Sequence, residues 1–238
     1  MAIRHDVLSG GLSGISTGLI ALTLLASAPA LASNCSSTPV AGIDWSGCSK
    51  KNVMLQGSDF QGANLADADL SLTNLSGTNL TSANLEKATL VRAWFTGAQA
   101  GNANFAKIEA YRSGFENVFA EGASFAGAEL QRANFNGAKL SGANFEKAEL
   151  GRASFSKAVL TGARFSLANL SRADLSGATF DGPIAFDRAF MFLTRIEGLD
   201  LSAATGLEQA QVDLACGDAK TKLPTGLSAP ASWPCASD

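Results

Sequence analysis

The sequence predicts a four-sided solenoid, and three nested periods predict it. A residue of the core type stands at every fifth position from Leu55 to Phe180, nearly always Leu or Phe, with Ala100, Ala110 and Ala120 as the small members. Leu and Phe alternate from Phe125 to Leu170, a period of ten. Arginine recurs every twenty residues at Arg92, Arg112, Arg132, Arg152 and Arg172, and glycine does so from Gly122 to Gly182. Five steps along an α-helix would smear the apolar residues around its circumference. Five steps along a flat strand would change face each time. The chain must therefore bend once per five residues, so that each large side chain points inward from a new side. Twenty residues per coil then gives four sides, with Phe on two opposite inner walls and Leu on the other two.

The units Ala63-Asn64-Leu65-Ala66-Asp67 and Ala83-Asn84-Leu85-Glu86-Lys87 carry a motif, A(D/N)LXX, that resembles the pentapeptide-repeat proteins. The resemblance covers about two thirds of the chain beyond residue 32. It implies an all-β fold, a right-handed quadrilateral β-helix, in agreement with the column count. It says little about function, because function sits on sites grafted onto a fold.

Residues 1–32 read as a secretory signal peptide. Arg4 precedes an apolar run around Leu19–Leu25, and Ala30-Leu31-Ala32 fits a small-x-small cleavage site. A retained anchor is the alternative, but Gly and Ser interrupt the run and Pro29 follows it. The expected location is periplasmic or extracellular, with no membrane attachment after cleavage.

Residues 33–52 are expected to form an N-terminal cap, with Val40, Ile43 and Trp45 plugging the lumen. Open solenoid ends expose unpaired backbone and apolar interior, so they need a cover. The repeats are expected over 53–206. Asn64, Asn74, Asn79, Asn84, Asp59 and Asp69 precede inward positions, where short polar side chains bond nearby backbone at bends. Between Val91 and Ala120, Ile108 and Val118 compensate for Ala110 and Ala120 in volume. The same stretch places Trp94, Tyr111 and Phe119 outward, as an aromatic partner site or as rings folded over the surface. Glu109, Glu129 and Glu149 stand three residues before Arg112, Arg132 and Arg152, which suggests a ladder of weak surface ion pairs. Arg92 and Arg172, at the ends of the column, have no such Glu; an anion-binding strip there is the alternative to the ladder, and Arg92 is a candidate for binding.

After Phe180 the fivefold count slips by one, near 182–185, and resumes at Phe186, Met191, Ile196 and Leu201. A bulge at Gly182-Pro183 accounts for this better than a helix over Phe186–Leu193. Phe190 and Phe192 join the outward aromatics. Residues 207–238 are expected to form a C-terminal cap and strap. Thr205 to Glu208 has capping-box spacing, and Leu207, Ala210 and Leu214 share a helical face.

The four cysteines flank the repeats. In an exported chain they read as disulfides. The solenoid holds its ends apart, which favours Cys35–Cys48 and Cys216–Cys235.

The chemistry is limited. The only histidine is His5, in the signal, so the mature chain has no His-based triad and no His-ligated zinc. No Gly-rich loop opens a helix for nucleotide binding. No cofactor or metal is expected, and no catalysis. A formal charge of −3 suits neither a basic nucleic-acid binder nor a dense DNA mimic. The expectation is an exported, rigid module that binds a protein partner or itself. The resemblance supplies one alternative, a gyrase-interacting protein, since some members of the family are DNA-like ligands of that topoisomerase. A polysaccharide-binding or polysaccharide-acting β-helix is the other.

Overall fold

The computed structural model describes residues 1–2 and 34–235. The signal segment therefore lies outside the described residues apart from its first two. The rest is a stack of coils in which each five-residue unit makes one two-residue turn and one parallel bridge to the coil above. Bridged residues are 20 apart from Asp44↔Asn64 to Val159↔Thr179. Pairing is one bridge per side, without continuous strands, because the chain turns before a second residue can pair. A short helix, α1 (Gln209–Leu214), follows the coils in the C-terminal segment.

The four sides can be numbered by their bridge residues. Side 1 carries Asn64, Asn84 and Asn104; side 2 carries Asp69, Thr89 and Glu109. Side 3 carries Met54, Asn74, Trp94 and Gly114; side 4 carries Asp59, Asn79, Gln99 and Phe119. The second residue of each turn has a left-handed backbone, supplied by glycine at Gly57, Gly77 and Gly142 and by ordinary residues elsewhere.

Inside, phenylalanine forms two facing stacks. Phe95, Phe115, Phe135 and Phe155 line side 3; Phe105, Phe125, Phe145 and Phe165 line side 1. Rings one coil apart lie parallel at 4.8–5.0 Å. Rings on opposite walls meet edge-to-face at about 5.7 Å. These are the two favoured aromatic geometries, and the period of ten makes both available at once. Ile108 and Val118 are fully buried beside the small Ala110 and Ala120.

The asparagine column on side 1 is structural. Asn104 Nδ2 donates to Asn84 Oδ1 at 3.0 Å, and each Oδ1 also accepts a backbone N–H two residues on. One side chain thus satisfies a turn and ties two coils together.

The coil begins ahead of Val53, inside the stretch read as a cap. Trp45 is buried and meets Phe60 edge-to-face, while the Lys50 ammonium lies over its ring at 3.7 Å. Val40, expected in the plug, is exposed, because the first bridge starts only at Asp44. Bridge spacing becomes 21 at Arg164↔Ala185, so one extra residue lies between Phe180 and Ala185. Beyond it Phe186, Met191, Ile196 and Leu201 are buried on the fivefold count, and no helix forms over them.

The C-terminal segment contributes to the last coil, with Arg195↔Cys216 and Asp200↔Lys222 bridged. The N-cap of α1 is Glu208, not Thr205, because Thr205 is occupied in a bridge to Ala185. The inward helix residues are accordingly Gln211 and Val212, while Leu214 is exposed. The Gln211 side chain donates to the carbonyls of Phe186 and Ala189 at 2.8 and 2.9 Å. It thereby supplies partners that the missing next coil would have given. Disulfides join Cys35 to Cys48 and Cys216 to Cys235. Trp233 closes the far end, donating to Ala215 O at 2.7 Å and lying where a Cβ on Gly217 would be. No helix among the described residues is long and apolar enough to cross a membrane.

Candidate binding faces

Side 3 carries the most distinctive surface. Met54 and Trp94 are the outward bridge residues of its column, two coils apart with Asn74 between them. Leu72 stands on the adjoining corner between sides 2 and 3. Together with Asn52, Ser76 and Thr96 these residues enclose a shallow depression of about 530 Å³. Met54 is 70% exposed and Trp94 46%, so neither ring nor thioether is consumed by the core. Glycine follows Trp94 in the column: a Cβ on Gly114 would come within 3.4 Å of the indole and closer still to the Glu116 carboxylate. The missing side chain lets the indole lie along the side. Glu116 is held beside it, accepting from Asn134 Nδ2 at 2.7 Å and from Thr96 Oγ1 at 3.4 Å.

Met54 and Leu72 escape the sequence reading. The signal was available in column arithmetic, because Met54 is forty residues before Trp94. Leu72 also occupies a left-handed corner that is held in its own column by Asn52 and by arginine from Arg92 to Arg172.

The remaining outward aromatics do not form one cluster. Tyr111 lies on the corner between sides 2 and 3, above Val91, with Arg92 N–H bonded to Tyr111 O. Its ring is 5.1 Å from the Arg112 guanidinium carbon. Phe119 is exposed on side 4, around the next corner from Trp94. Phe190 and Phe192 lie seven coils' worth of sequence away from Trp45, on side 2 and its corner, with ring centroids 6.4 Å apart. Both are exposed, as is Leu214, whose carbonyl accepts from Leu193 N–H.

The expected ladder of Glu–Arg pairs is not formed. No ion pair joins Glu109, Glu129 or Glu149 to Arg112, Arg132 or Arg152 among the described residues. The glutamates stand on the flat of side 2, whereas the arginines leave from the corner after it, and the turn between them separates the charges. Glu149 instead accepts from Asn169. All five arginines of the column have a left-handed backbone, with φ of 55–61°. Each such residue costs about 1 kcal/mol more than glycine would. Neighbours one coil apart add up to about 1 kcal/mol of repulsion in water before screening. Stability alone does not call for arginine on this edge.

The shifted carboxylates are all lowered by structural partners. The Lys222 ammonium and the Ser202 hydroxyl hold Asp200 down to about 2. The Ser71 hydroxyl lowers Asp69, and the Lys107 ammonium lowers Glu86. Such groups stay ionised as acceptors. Among the described residues no group of three or more metal-ligating side chains converges.

The family profile for pentapeptide repeats matches in eight copies, over residues 33–71, 73–107, 115–146 and 148–182. No curated protein sequence matches the chain. Among solved structures, a trypsin-treated variant of QnrB1, a plasmid-mediated fluoroquinolone resistance protein, is 24% identical with a TM-score of 0.59. That match covers 79% of this chain and 91% of QnrB1. HetL, a pentapeptide repeat protein involved in heterocyst differentiation regulation in Nostoc sp. strain PCC 7120, is 24% identical with a TM-score of 0.54. It aligns over 80% of this chain and 93% of its own length. At these identities the likeness is one of fold.

Proposed function

The chain belongs to the pentapeptide-repeat family, and from that premise we propose that it is an exported, non-catalytic protein-interaction module whose docking face is side 3. The coil is read as right-handed, as in the family. The observation that carries the proposal is the depression enclosed by Met54, Leu72 and Trp94, which the scattered aromatics elsewhere on the surface do not form. The inner positions are filled by Leu and Phe, so only outward residues can meet a partner. A depression with an exposed indole and thioether accepts an inserted apolar side chain, and Trp is prominent among residues that dominate interface energies. Met supplies a soft surface that adapts to its partner.

Export rests on the signal-like segment and on the two disulfides at the ends, which persist in oxidising compartments. Fractionation should find protein beginning at Ser33 outside the cytoplasm. Capture from that fraction should recover a partner with the unaltered protein and lose it with Trp94→Ala plus Met54→Ser. Both positions are outward, so the double variant should melt within a few degrees of the parent. Equal recovery by a folded double variant would remove side 3 as the docking face.

Exposed Phe190, Phe192 and Leu214 favour a second reading, self-association through that end of side 2. Sedimentation should then depend on concentration, and Phe190→Ser with Phe192→Ser should abolish the dependence. No observation favours the topoisomerase alternative, because the likeness to QnrB1 extends to the fold alone.

A further inference from the structure

The geometry points to the free edge of the first coil on side 3 as a pairing site for an extended segment of the partner's chain, added beneath Met54 as one more coil side. The inference rests on side 3 as the docking face and adds the form in which the partner is held there.

Backbone hydrogen bonds close each flat side between neighbouring coils. On side 3, between the first two coils, Asn52 N–H donates to Ser71 O at 2.9 Å and Leu55 N–H to Asn74 O at 2.8 Å. Gly57 N–H donates to Ser76 O at 3.0 Å, and Asn74 N–H donates back to Val53 O at 3.0 Å. The upper coil thus uses both backbone groups of its bridge residue and the two corner carbonyls beside it. The same groups on the first coil are Met54 N–H, Met54 O, Lys51 O and Gln56 O. None of them is hydrogen-bonded among the described residues. Lys51, Met54 and Gln56 are all exposed.

The ties of the N-terminal segment fall elsewhere. They are the Cys35–Cys48 disulfide, the bond from Trp45 Nε1 to Ser37 Oγ, and the bond from Gly42 N–H to Gln61 O. These lie on side 2, on side 1 and on the corner between sides 4 and 1. Packing shows the same opening: Val53 is half-buried, whereas Thr73, Ala93 and Ser113, its counterparts in the next coils, are at most 1% exposed. At the other end of the stack Gln211 and Trp233 donate to carbonyls of the last coils. No side chain does this for side 3 of the first coil among the described residues.

The open groups select the occupant. They are three acceptors and one donor along a single five-residue side, and their complement is an extended polypeptide running parallel to it. Such a segment supplies N–H, C=O, N–H and N–H, as Asn52, Val53, Leu55 and Gly57 do one coil higher. Unpaired edges are templates for strand addition, in which main-chain bonds hold the segment and alternate side chains select it. The residues flanking its bridge residue turn inward beneath Val53 and Leu55, so apolar ones fit. The bridge residue itself turns outward against Met54, the wall of the depression.

The probe is a synthetic peptide with the sequence of residues 71–77, which presents this pattern to the coil above it. It is titrated into isotope-labelled protein of residues 33–238, a compact unit of its own. Saturable amide shifts should appear around Met54 and not around Asn144. A peptide N-methylated at Leu75 loses the donor to Met54 O and should not bind. One N-methylated at Asn74, whose N–H faces away from the edge, should bind like the parent peptide. Met54→Pro removes the edge N–H without breaking a bond inside the coil, and should weaken binding by about fivefold or more. Met54→Ser keeps that N–H and should weaken binding less. A melting curve verifies the fold of the proline variant, and the two N-methylated peptides decide the matter without it. No saturable shift at Met54, or equal binding of the two N-methylated peptides, would overturn the inference. So would shifts at Met54 that grow with protein concentration in the absence of peptide, since a second copy would then fill the edge. Failure here is separate from failure of the docking face, which is read by capture with Trp94→Ala, a change that the peptide should not feel.

Discussion

Replacing Gln211 with methionine tests how the coil stack is ended. Gln211 is buried on α1, and its amide nitrogen donates to Phe186 O and Ala189 O at 2.8 and 2.9 Å. Its amide oxygen accepts from Glu208 N–H at 2.7 Å. Methionine preserves length and bulk, so little cavity is created, but it removes both donors and the acceptor. The Ala189 carbonyl then lacks a partner, at a cost of about 1–3 kcal/mol, while Phe186 O keeps the Ala189 N–H. The Glu208 N–H also loses its acceptor, and water reaching the end of the coil gives some relief, so the net loss is about 1–3 kcal/mol. In a stack whose units contact only their neighbours, this loss should appear first at the C-terminal coil. Urea unfolding followed by Trp fluorescence should give a lower midpoint, and amide exchange should accelerate around Phe186–Met191 before it does around Phe125. A methionine variant within about 0.5 kcal/mol of the parent, with unchanged exchange, would refute the view that this side chain stands in for the next coil.

Other perturbations have defined signs. Gly142 has φ of 68° and open space where a Cβ would go, so Gly142→Ala should cost about 1 kcal/mol through backbone strain alone. Arg132→Gly, at φ 61°, should instead stabilise by up to about 1 kcal/mol; paired thermal melts compare the two. Gly217→Ala would drive a methyl into the Trp233 ring and should cost about 1–3 kcal/mol, with a red-shifted Trp emission as the strap lifts. Asp200 is lowered from 3.8 to about 2 by Lys222 and Ser202. Its contribution is thus fully present above about pH 4 and is lost as pH falls toward 2. Asp200→Asn should flatten that part of the melting-temperature profile and leave pH 5–7 similar in shape.

Much of the coil was legible because its cause is periodic. A core residue at every fifth position specifies the bend, and the twenty-residue columns specify which residues stack. The ends were less legible, since they answer to single partners. Trp45 belongs to the first coil because Asp44 already pairs with Asn64, a register the sequence does not announce before Val53. Gln211 reads as a surface residue until the two carbonyls it serves are seen. The Glu–Arg ladder failed for a geometric reason: three residues of separation spans a corner here, whereas on a helix it would bring the charges to one face. On the surface, Trp94 and Tyr111 were visible as departures from a polar column. Met54 was legible only by counting forty residues back from Trp94, since its own unit lacks the A(D/N)LXX pattern that marks its neighbours.

The docking role of side 3 is tested most directly by placing a photo-crosslinking amino acid at Met54 and, separately, at Asn144 on side 1. Both positions are outward bridge residues, and loss of the Asn144 bond to the Glu146 N–H costs only about 1 kcal/mol, so both variants should fold. Irradiation of the exported fraction should yield a discrete protein adduct from position 54, abolished by Trp94→Ala, and none from position 144. Equal adducts from both positions, or none from position 54, would contradict a binding face on side 3.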